Sequence, residues 1–247
     1  KFRDVEVHNH RYDNFDEKHT LFTLKRPKKF KRDDVDIRFF ESENIMLFQF
    51  MLFVREKSPD YLLGWNIESY DIPYLLSRIT KLKLNINKIS VLNRVYFRQT
   101  EEVSSHKFSS FYINIGGVGI FDLLSASQRL WLGKYTGYSL EKMSQQYLNE
   151  GKIKIGDGDK MYETDIDKFI DYNIKDVELC VKLDEKLNLF KSFQSFQEII
   201  SINVNNSLIQ SHNIHYYIMQ HTNRILLNSD KITICSGGNV GIGTVSP

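Results

Sequence analysis

The chain has 247 residues, of which 41% are hydrophobic and 13% aromatic, a composition that supports a sizeable core and excludes global disorder. With 33 basic and 31 acidic residues the net charge is only +2, so any nucleic-acid site has to be a local patch. Two cysteines exclude a disulfide framework and a cysteine-based zinc site, and no apolar run has the length of a membrane helix.

The first forty residues have the alternating pattern of β-strands. We predict an antiparallel pair from VEVHNHRYD (5–13) and KHTLFTLKR (18–26), and a third strand from VDIRFF (35–40). The segment KRPKKFKR (25–32) holds six basic side chains, which suit DNA phosphates. Three aspartates close behind it partly neutralise this charge, and we favour a solvated loop.

A helix is predicted from Ser42, a favourable N-cap, to Pro59, which ends it. We expect its apolar stripe to consist of Ile45, Phe48, Met51 and Leu52. The run YLLGWN (61–66) is typical of a short buried strand. Pro73 then fits the first turn of a helix that continues to about Lys83.

The second half of the chain is predicted to be richer in helices. Two strands joined across the glycine pair 116–117 precede helices near 123–132 and 139–148. Residues 155–163 have the composition of a loop, and Thr164 is expected to cap a helix with strong apolar periodicity. Strands at the front and helices throughout predict an α/β domain with a mixed sheet flanked by helices.

The stretch GWNIESYDIPYLLSRI (64–79) places Asp71 where a strand passes into a helix. Open α/β sheets carry their sites at the carboxyl ends of strands, and a helix N-terminus favours negative charge. Asp71 is therefore a candidate site residue. The alternative from the local pattern is a simple N-cap.

A second candidate pair lies in DYNIKDVELC (171–180). Tyr172 and Asp176 are four residues apart on a predicted helix, so their side chains share a face and can reach one point. A tyrosine hydroxyl can orient a water molecule, and an aspartate can bind a divalent cation. The same spacing also arises by chance on many helices.

Taken together, these two motifs resemble the second and third motifs of the proofreading 3′–5′ exonuclease domain of family B DNA polymerases. The intervening GIFDLLSASQRLWLGKYTGYSLEKMSQQYL and the preceding RFFESENIMLFQFMLFVREKSPDYLLGWN resemble that family too. The resemblance runs from about residue 5 to 225 and is strongest to polymerases of large tailed phages and their eukaryotic-like relatives. It implies a ribonuclease H-like fold, with a mostly helical start of the polymerase palm behind it.

The resemblance also implies a chemistry, the hydrolysis of the 3′-terminal phosphodiester of single-stranded DNA with two divalent ions, Mg²⁺ or Mn²⁺. By position, Asp71 and Asp176 would bind metal, and Tyr172 would orient the attacking water or the scissile phosphate. Asn66 would contact the terminal nucleotide, or else make a strand-end hydrogen bond. The implied partners are a single-stranded 3′ end and primer–template DNA, with a sliding clamp or other replisome protein for a full-length polymerase, in the cytoplasm and away from membranes.

Three further features are expected to be structural. Tyr70 and Tyr74 are expected in the core and not stacked on a base. Asp122, at the end of a predicted strand, is expected to be a cap and not a metal ligand. The seven histidines show no metal-ligand spacing with nearby carboxylates.

The sequence departs from the family pattern at the first motif, Asp-x-Glu on a buried strand. Asp4 and Glu6 match the Asp-x-Glu pattern. No apolar strand precedes them, however, and residues 5–24 resemble the strand pair that follows that motif. We expect the true motif upstream of residue 1 and the polymerase aspartates beyond the other end. With two of four carboxylates, the chain is expected to be poorly active.

The domain organisation implied is an exonuclease domain at 1–190 without its first strand and motif, a helical segment at 191–228 leading to the palm, and a glycine-rich tail at 229–247. The leading hypothesis is thus a fragment of a family B DNA polymerase. The alternatives are a stand-alone exonuclease of the same fold, or an inactive module that binds single-stranded DNA or a protein.

Overall fold

The fold is known from a computed structural model, which describes residues 4–9, 18–99, 111–130, 132–133, 136–153, 158–200, 232–234 and 240–242. The chain divides into two compact units, Lys1–Leu189 and Phe190–Pro247. Within the described ranges, no helix combines the length and the apolar character needed to cross a membrane.

The front of the chain forms a three-stranded mixed sheet in the order β1–β2–β3. The strands are β1 Asp4–Asn9, β2 Lys18–Thr23 and β3 Val35–Phe39. β1 pairs antiparallel with β2, with Asp4 opposite Thr23, and β2 pairs parallel with β3, with His19 opposite Val35. All three predicted strands and the antiparallel pair are confirmed.

The first helix, α1, covers Glu43–Lys57, and Ser42 caps it as predicted by accepting a hydrogen bond from the N–H of Ile45. The predicted apolar stripe is wrong in part, because Ile45 is 52% exposed and Phe48 is 39% exposed. The buried side chains of the helix are those of Met46, Leu47, Phe50, Met51, Phe53 and Val54. Apolar residues lie all around α1, so their spacing does not identify the face that enters the core.

The short strand β4, Tyr61–Gly64, leads through one π-helical turn, Ile67–Asp71, into the helix α2, Ile72–Lys81. Pro73 stands at the start of α2, as predicted. The expectation of a fully buried β4 is wrong, since Leu63 is 37% exposed. Its one strand partner in the described sheets covers a single edge.

Three more strands follow, β5 Val95–Gln99, β6 Phe111–Ile115 and β7 Gly119–Asp122. The two strands predicted around the glycine pair 116–117 are present, but they enter different sheets. β6 pairs antiparallel with β5, which was not predicted, whereas β7 pairs parallel with β4. This parallel register sets Gly64 opposite Asp122, so both strands end at one edge.

The α-helices that the structure describes in the rest of the first unit are α3 Leu123–Arg129, α4 Leu140–Leu148, α5 Gly158–Thr164 and α6 Ile166–Leu187. The predictions for α3 and α4 are confirmed. The loop expected at 155–163 is wrong from Gly158 onward, where α5 begins. Thr164 ends α5, and the cap of α6 is Asp165, which accepts a hydrogen bond from the N–H of Lys168.

Beyond these elements the chain forms α7, Leu189–Ile200, and an antiparallel strand pair, β8 Ile232–Ile234 and β9 Val240–Ile242. The helical pattern expected towards the palm lies largely outside the described residues, as does most of the glycine-rich tail.

The long helix α6 joins two hydrophobic clusters. Its first half packs on β2 and α5 through Ile170 and Ile174, and its second half packs on α4 through Leu179 and Leu183. Because apolar contacts fix both halves, the polar side chains near the middle of the helix keep a defined position.

The corrected burial of α1 leads to a stability prediction. Leu47→Ala is expected to lower the free energy of unfolding by about 3 kcal/mol, because a fully buried side chain leaves a cavity. Ile45→Ala, the matched control on the exposed face, is expected to cost about 0.5 kcal/mol. Urea unfolding of both variants measures the difference. Equal losses would contradict the observed orientation of the helix.

Candidate active site

The turn between β4 and α2 has an unusual backbone that carries Asp71 at its end. Asn66 adopts the left-handed conformation, with φ of 63°, which asparagine tolerates better than most residues. At Gly64 an added Cβ would lie 3.0 Å from the Cβ of Ile67, so the close return of the chain favours glycine there. Asp71 occupies the cap position of α2 but makes no capping hydrogen bond. Its carboxylate is therefore not used as an N-cap.

Asp122, at the end of β7, holds this turn in place. Its carboxylate accepts hydrogen bonds from the N–H groups of Asn66 (3.2 Å) and Glu68 (3.3 Å). It also accepts from the first N–H groups of α3, those of Leu124 (2.9 Å) and Ser125 (3.2 Å). Asp122 is 1% exposed, so four backbone donors replace its water. The structure places it as a cap for α3, as expected, and as an anchor for the turn.

The same geometry changes the acidity of the carboxyl groups near the turn. Asp71 keeps contact with solvent, yet the protein around its carboxylate and the negative charge of Asp122 raise the pKa of Asp71 to about 6. Burial likewise raises the pKa of Asp122, although its four backbone donors oppose this shift. A cation bound at Asp71 would relieve this crowding of negative charge.

The middle of α6 carries the second candidate pair, and Lys152 lies against it. The ammonium of Lys152 donates to Oδ2 of Asp176 at 2.6 Å, and it sits 5.5 Å from the centre of the Tyr172 ring. Partial burial alone lowers the pKa of Lys152, but the hydrogen bond and charge of Asp176 outweigh it and leave that pKa raised. Burial and the charge of Asp176 raise the pKa of Tyr172. A phenol is a hydrogen-bond donor at neutral pH even at its ordinary pKa, and this shift reinforces that state.

The second oxygen of Asp176 is the feature that fits a metal ion. Oδ1 is buried and has no hydrogen-bond partner among the residues that the structure describes. A buried carboxylate oxygen without a donor is costly and calls for a cation or another donor at that position. Asp71 and Asp176 both offer carboxylate oxygens, the hard ligands that Mg²⁺ and Mn²⁺ prefer.

Cys180 lies near enough to both Asp71 and Asp176 for their charges to affect its thiol. Burial raises the pKa of this thiol to about 12, and the backbone of Trp65 hydrogen-bonds to it. Trp65 directly follows β4, and its indole N–H donates to the carbonyl of Tyr138 at 3.1 Å, ahead of α4. The end of β4 and the middle of α6 therefore face one region of the first unit.

The aromatic residues beside Asp71 are not in the core, which corrects the prediction. Tyr70 is 66% exposed and Tyr74 is 40% exposed. Their rings lie nearly parallel, 7° apart, with centroids separated by 6.4 Å. The inward face of α2 is supplied instead by its aliphatic residues, such as Leu75 and Leu76, so the two rings project from the outer side.

One group of potential metal ligands was missed by sequence reasoning. Ligand atoms of His19, Asp34 and Glu178 lie within 4.8 Å of one another. No sequence spacing reveals this group, because Glu178 comes from α6. Arg32 donates to Asp34 and, at 2.8 Å, to Glu178. Its guanidinium already supplies the positive charge, and it lowers the pKa of Asp34, so an ion pair explains the group.

The backbone of the basic segment 25–32 is held against the first turn of α6. The backbone N–H groups of Lys28, Lys29 and Phe30 all donate to the carboxylate of Asp167 in the first turn of α6. The side chains of Lys28 and Lys29 are exposed. The expected solvated loop is thus a loop with solvated side chains and an anchored backbone.

Sequence reasoning did not find Lys152. Its segment, NEGKIKIG (149–156), alternates lysine and isoleucine over four residues, a pattern that favours a strand over a site loop. Lys152 also lies 24 residues before Asp176, so no local pattern connects the two. At the other end of the chain, β1 contains Asp4 and Glu6, whose side chains lie outside what the structure describes.

Comparison with known proteins identifies the family to which this chain belongs. A family model described as the exonuclease domain of family B DNA polymerases matches residues 6–143, more than half of the chain. The matched range contains Asn66, Asp71 and Asp122 and ends before Tyr172. The chain belongs to the exonuclease-domain family of family B DNA polymerases.

The relatives are named DNA polymerases. The DNA-directed DNA polymerase of Escherichia phage RB69 is 29% identical over 150 residues, which cover 60% of this chain and 16% of the relative. The enzyme of Enterobacteria phage T4 is 30% identical over 149 residues, covering 59% and 16%. The DNA polymerase delta catalytic subunit of Dictyostelium discoideum is 31% identical over 173 residues, covering 65% and 15%. The chain thus spans about a sixth of the length of these relatives.

The anchoring role of Asp122 leads to a prediction about stability. Asp122→Ala is expected to lower the free energy of unfolding by about 3 kcal/mol or more, because several buried N–H groups lose their acceptor. The matched control is Asp165→Ala, which removes a single exposed cap and is expected to cost about 1 kcal/mol. Urea unfolding compares the two. A loss at Asp122 no larger than that at Asp165 would show that the turn does not depend on this carboxylate.

Proposed function

We propose that this chain carries the greater part of a proofreading 3′–5′ exonuclease site in a ribonuclease H-like domain, and that the site hydrolyses the 3′-terminal phosphodiester of single-stranded DNA. The observation that carries the proposal is the partly buried carboxylate of Asp176, which has an ammonium on Oδ2 and a buried Oδ1 with no donor among the described residues. Such a group is arranged to hold a cation. The family assignment supplies the reaction class.

Asp71 and Asp176 are the residues proposed to hold the divalent ions, Mg²⁺ or Mn²⁺. When bound, such ions lower the pKa of an attacking water and stabilise the leaving 3′ oxygen. The protein's own contribution is to present two carboxylates from different elements. The anchored turn presents one, and a helix fixed at both ends presents the other.

The proposed role of Tyr172 is to orient the attacking water or the scissile phosphate. A phenol is protonated at neutral pH, and the raised pKa of Tyr172 reinforces this, so its hydroxyl can donate a hydrogen bond to a phosphate oxygen. Lys152 adds a fixed positive charge over the same face of α6, which favours an anionic phosphodiester.

The 3′-terminal nucleotide is proposed to lie along the β4–α2 turn. The backbone of Asn66 is committed to Asp122, and its side chain makes no capping bond, which leaves the amide to contact the nucleotide. The exposed rings of Tyr70 and Tyr74 offer flat surfaces for a base.

The partners proposed follow from the family. They are the 3′ end of single-stranded DNA and primer–template DNA, with a sliding clamp or other replisome protein for a whole polymerase, in the cytoplasm. Residues 191–228 are proposed to lead towards the palm.

Mn²⁺ binding tests the proposal directly. The parent chain is expected to bind Mn²⁺ weakly, as two acidic ligands would. Asp71→Asn and Asp176→Asn are each expected to reduce the affinity about tenfold or more, because each removes a charged ligand. Electron paramagnetic resonance of free Mn²⁺ measures this.

The control for the Mn²⁺ titration is Asp34→Asn, which alters the ion-pair group at His19 and is expected to leave the affinity unchanged. Unchanged affinity in both the Asp71 and Asp176 variants would contradict the metal site. Binding of single-stranded DNA with no Mn²⁺ response would instead favour an inactive binding module.

A pH dependence follows from the raised pKa of Asp71. Because the neutral carboxyl dominates below about pH 6, protons compete with the metal there. Mn²⁺ affinity is expected to fall by about tenfold per pH unit as the pH drops below that value. The same titration over a pH series checks this, with Asp71→Asn as the control that loses the dependence. A flat profile across this range in the parent chain would exclude Asp71 as a ligand.

A further inference from the structure

The loop 149–153, between α4 and α5, carries Lys152, and hydrogen bonds to α4 and α6 hold it in place. It leaves α4 through Asn149, which has φ of 54° and whose N–H bonds to the carbonyl of Ser144. The backbone N–H of Glu150 reaches the same carbonyl. The loop thus leaves α4 through a fixed cap.

Glu150 fastens this loop to α6. Its carboxylate accepts hydrogen bonds from Lys175 at 2.5 Å and from Lys182 at 2.9 and 3.0 Å. The two lysines are seven residues apart, which places them on one side of the helix, two turns from each other. The hydrogen bonds from both lysines, together with their charges, lower the pKa of Glu150. The carboxylate therefore bridges a span of α6 that begins next to Asp176.

Glu141 fastens the same loop to α4. One oxygen of its carboxylate accepts the backbone N–H of Lys152 at 2.6 Å. The other oxygen accepts from the side chain of Gln145 at 2.5 Å. At Gly151 an added Cβ would lie 3.1 Å from this second oxygen, so the loop passes close over Glu141. Two carboxylates on opposite sides thus fix the backbone from which Lys152 extends.

We propose that Glu150 and Glu141 are positioning residues that set the Lys152 ammonium on Asp176 and over Tyr172. The inference rests on the proposed function for its purpose, since Lys152 then meets the phosphate beside the candidate metal ligands. Neither glutamate touches the reacting groups. Glu150 lies in the 149–153 loop, two residues before Lys152, and Glu141 accepts the backbone N–H of Lys152. Both therefore act on Lys152 through the backbone of the loop.

The chemical reactivity of the Lys152 amine tests the proposal without metal or DNA. The parent chain and Glu150→Gln are treated with a limiting amount of an acetylating reagent, and each lysine is quantified by mass spectrometry. In Glu150→Gln the acetylation of Lys152 is expected to rise by about threefold or more, the scale of losing a surface ion pair. The exposed Lys28 serves as the internal reference.

The matched control is Glu163→Gln, which also removes one carboxylate. Glu163 pairs with Lys25, which lies outside the loop. It is expected to leave Lys152 unchanged. If Lys175 and Lys182 become more reactive in Glu150→Gln while Lys152 does not, the positioning role of Glu150 is wrong. Glu141→Ala provides a second route to the same result if the first variant fails to fold.

The readout separates the two proposals. A rise in Lys152 reactivity supports positioning even where the Mn²⁺ titration contradicts the exonuclease site. An unchanged Lys152 in folded Glu150→Gln and Glu141→Ala overturns positioning even where Mn²⁺ binds at Asp71 and Asp176.

Discussion

The buried carboxylate of Asp122 is the constraint on which the site depends. It ends β7, starts α3 and holds the turn that carries Asp71, so that one side chain satisfies donors from two separate segments. The parallel pairing of β4 and β7 brings these segments to the same sheet edge. Asp71 is then left without a capping bond. The turn is thus anchored by Asp122, and the carboxylate of Asp71 is the one proposed to hold a cation.

Tyr172 and Asp176, the other half of the candidate site, lie near the middle of α6, a helix whose two halves pack into hydrophobic clusters. The clusters around Ile170 and Leu183 fix α6, and the side chains between them are free to be polar because they do not support the core. Lys152 neutralises part of Asp176, and the other oxygen has no donor within the described structure. That arrangement suits cation binding, because a carboxylate with hydrogen-bond donors on both oxygens would bind a cation only weakly.

The sequence predicted the motifs better than their surroundings. The three front strands, the caps at Ser42 and Asp122 and the helix carrying Tyr172 follow from local patterns, because caps and periodicity act within a few residues. The buried face of α1 and the exposure of Tyr70 do not, because neighbours distant in the chain decide them. Lys152 and the His19 group depend on contacts across many residues, for which no local pattern exists.

The central claim is that Asp71 and Asp176 hold the same cation site. Anomalous diffraction from a crystal soaked in Mn²⁺ tests it most directly. The account predicts an anomalous peak within bonding distance of a carboxylate oxygen from each residue. A peak at His19, Asp34 and Glu178 alone, or carboxylates of Asp71 and Asp176 too far apart to share neighbouring ions, would contradict it.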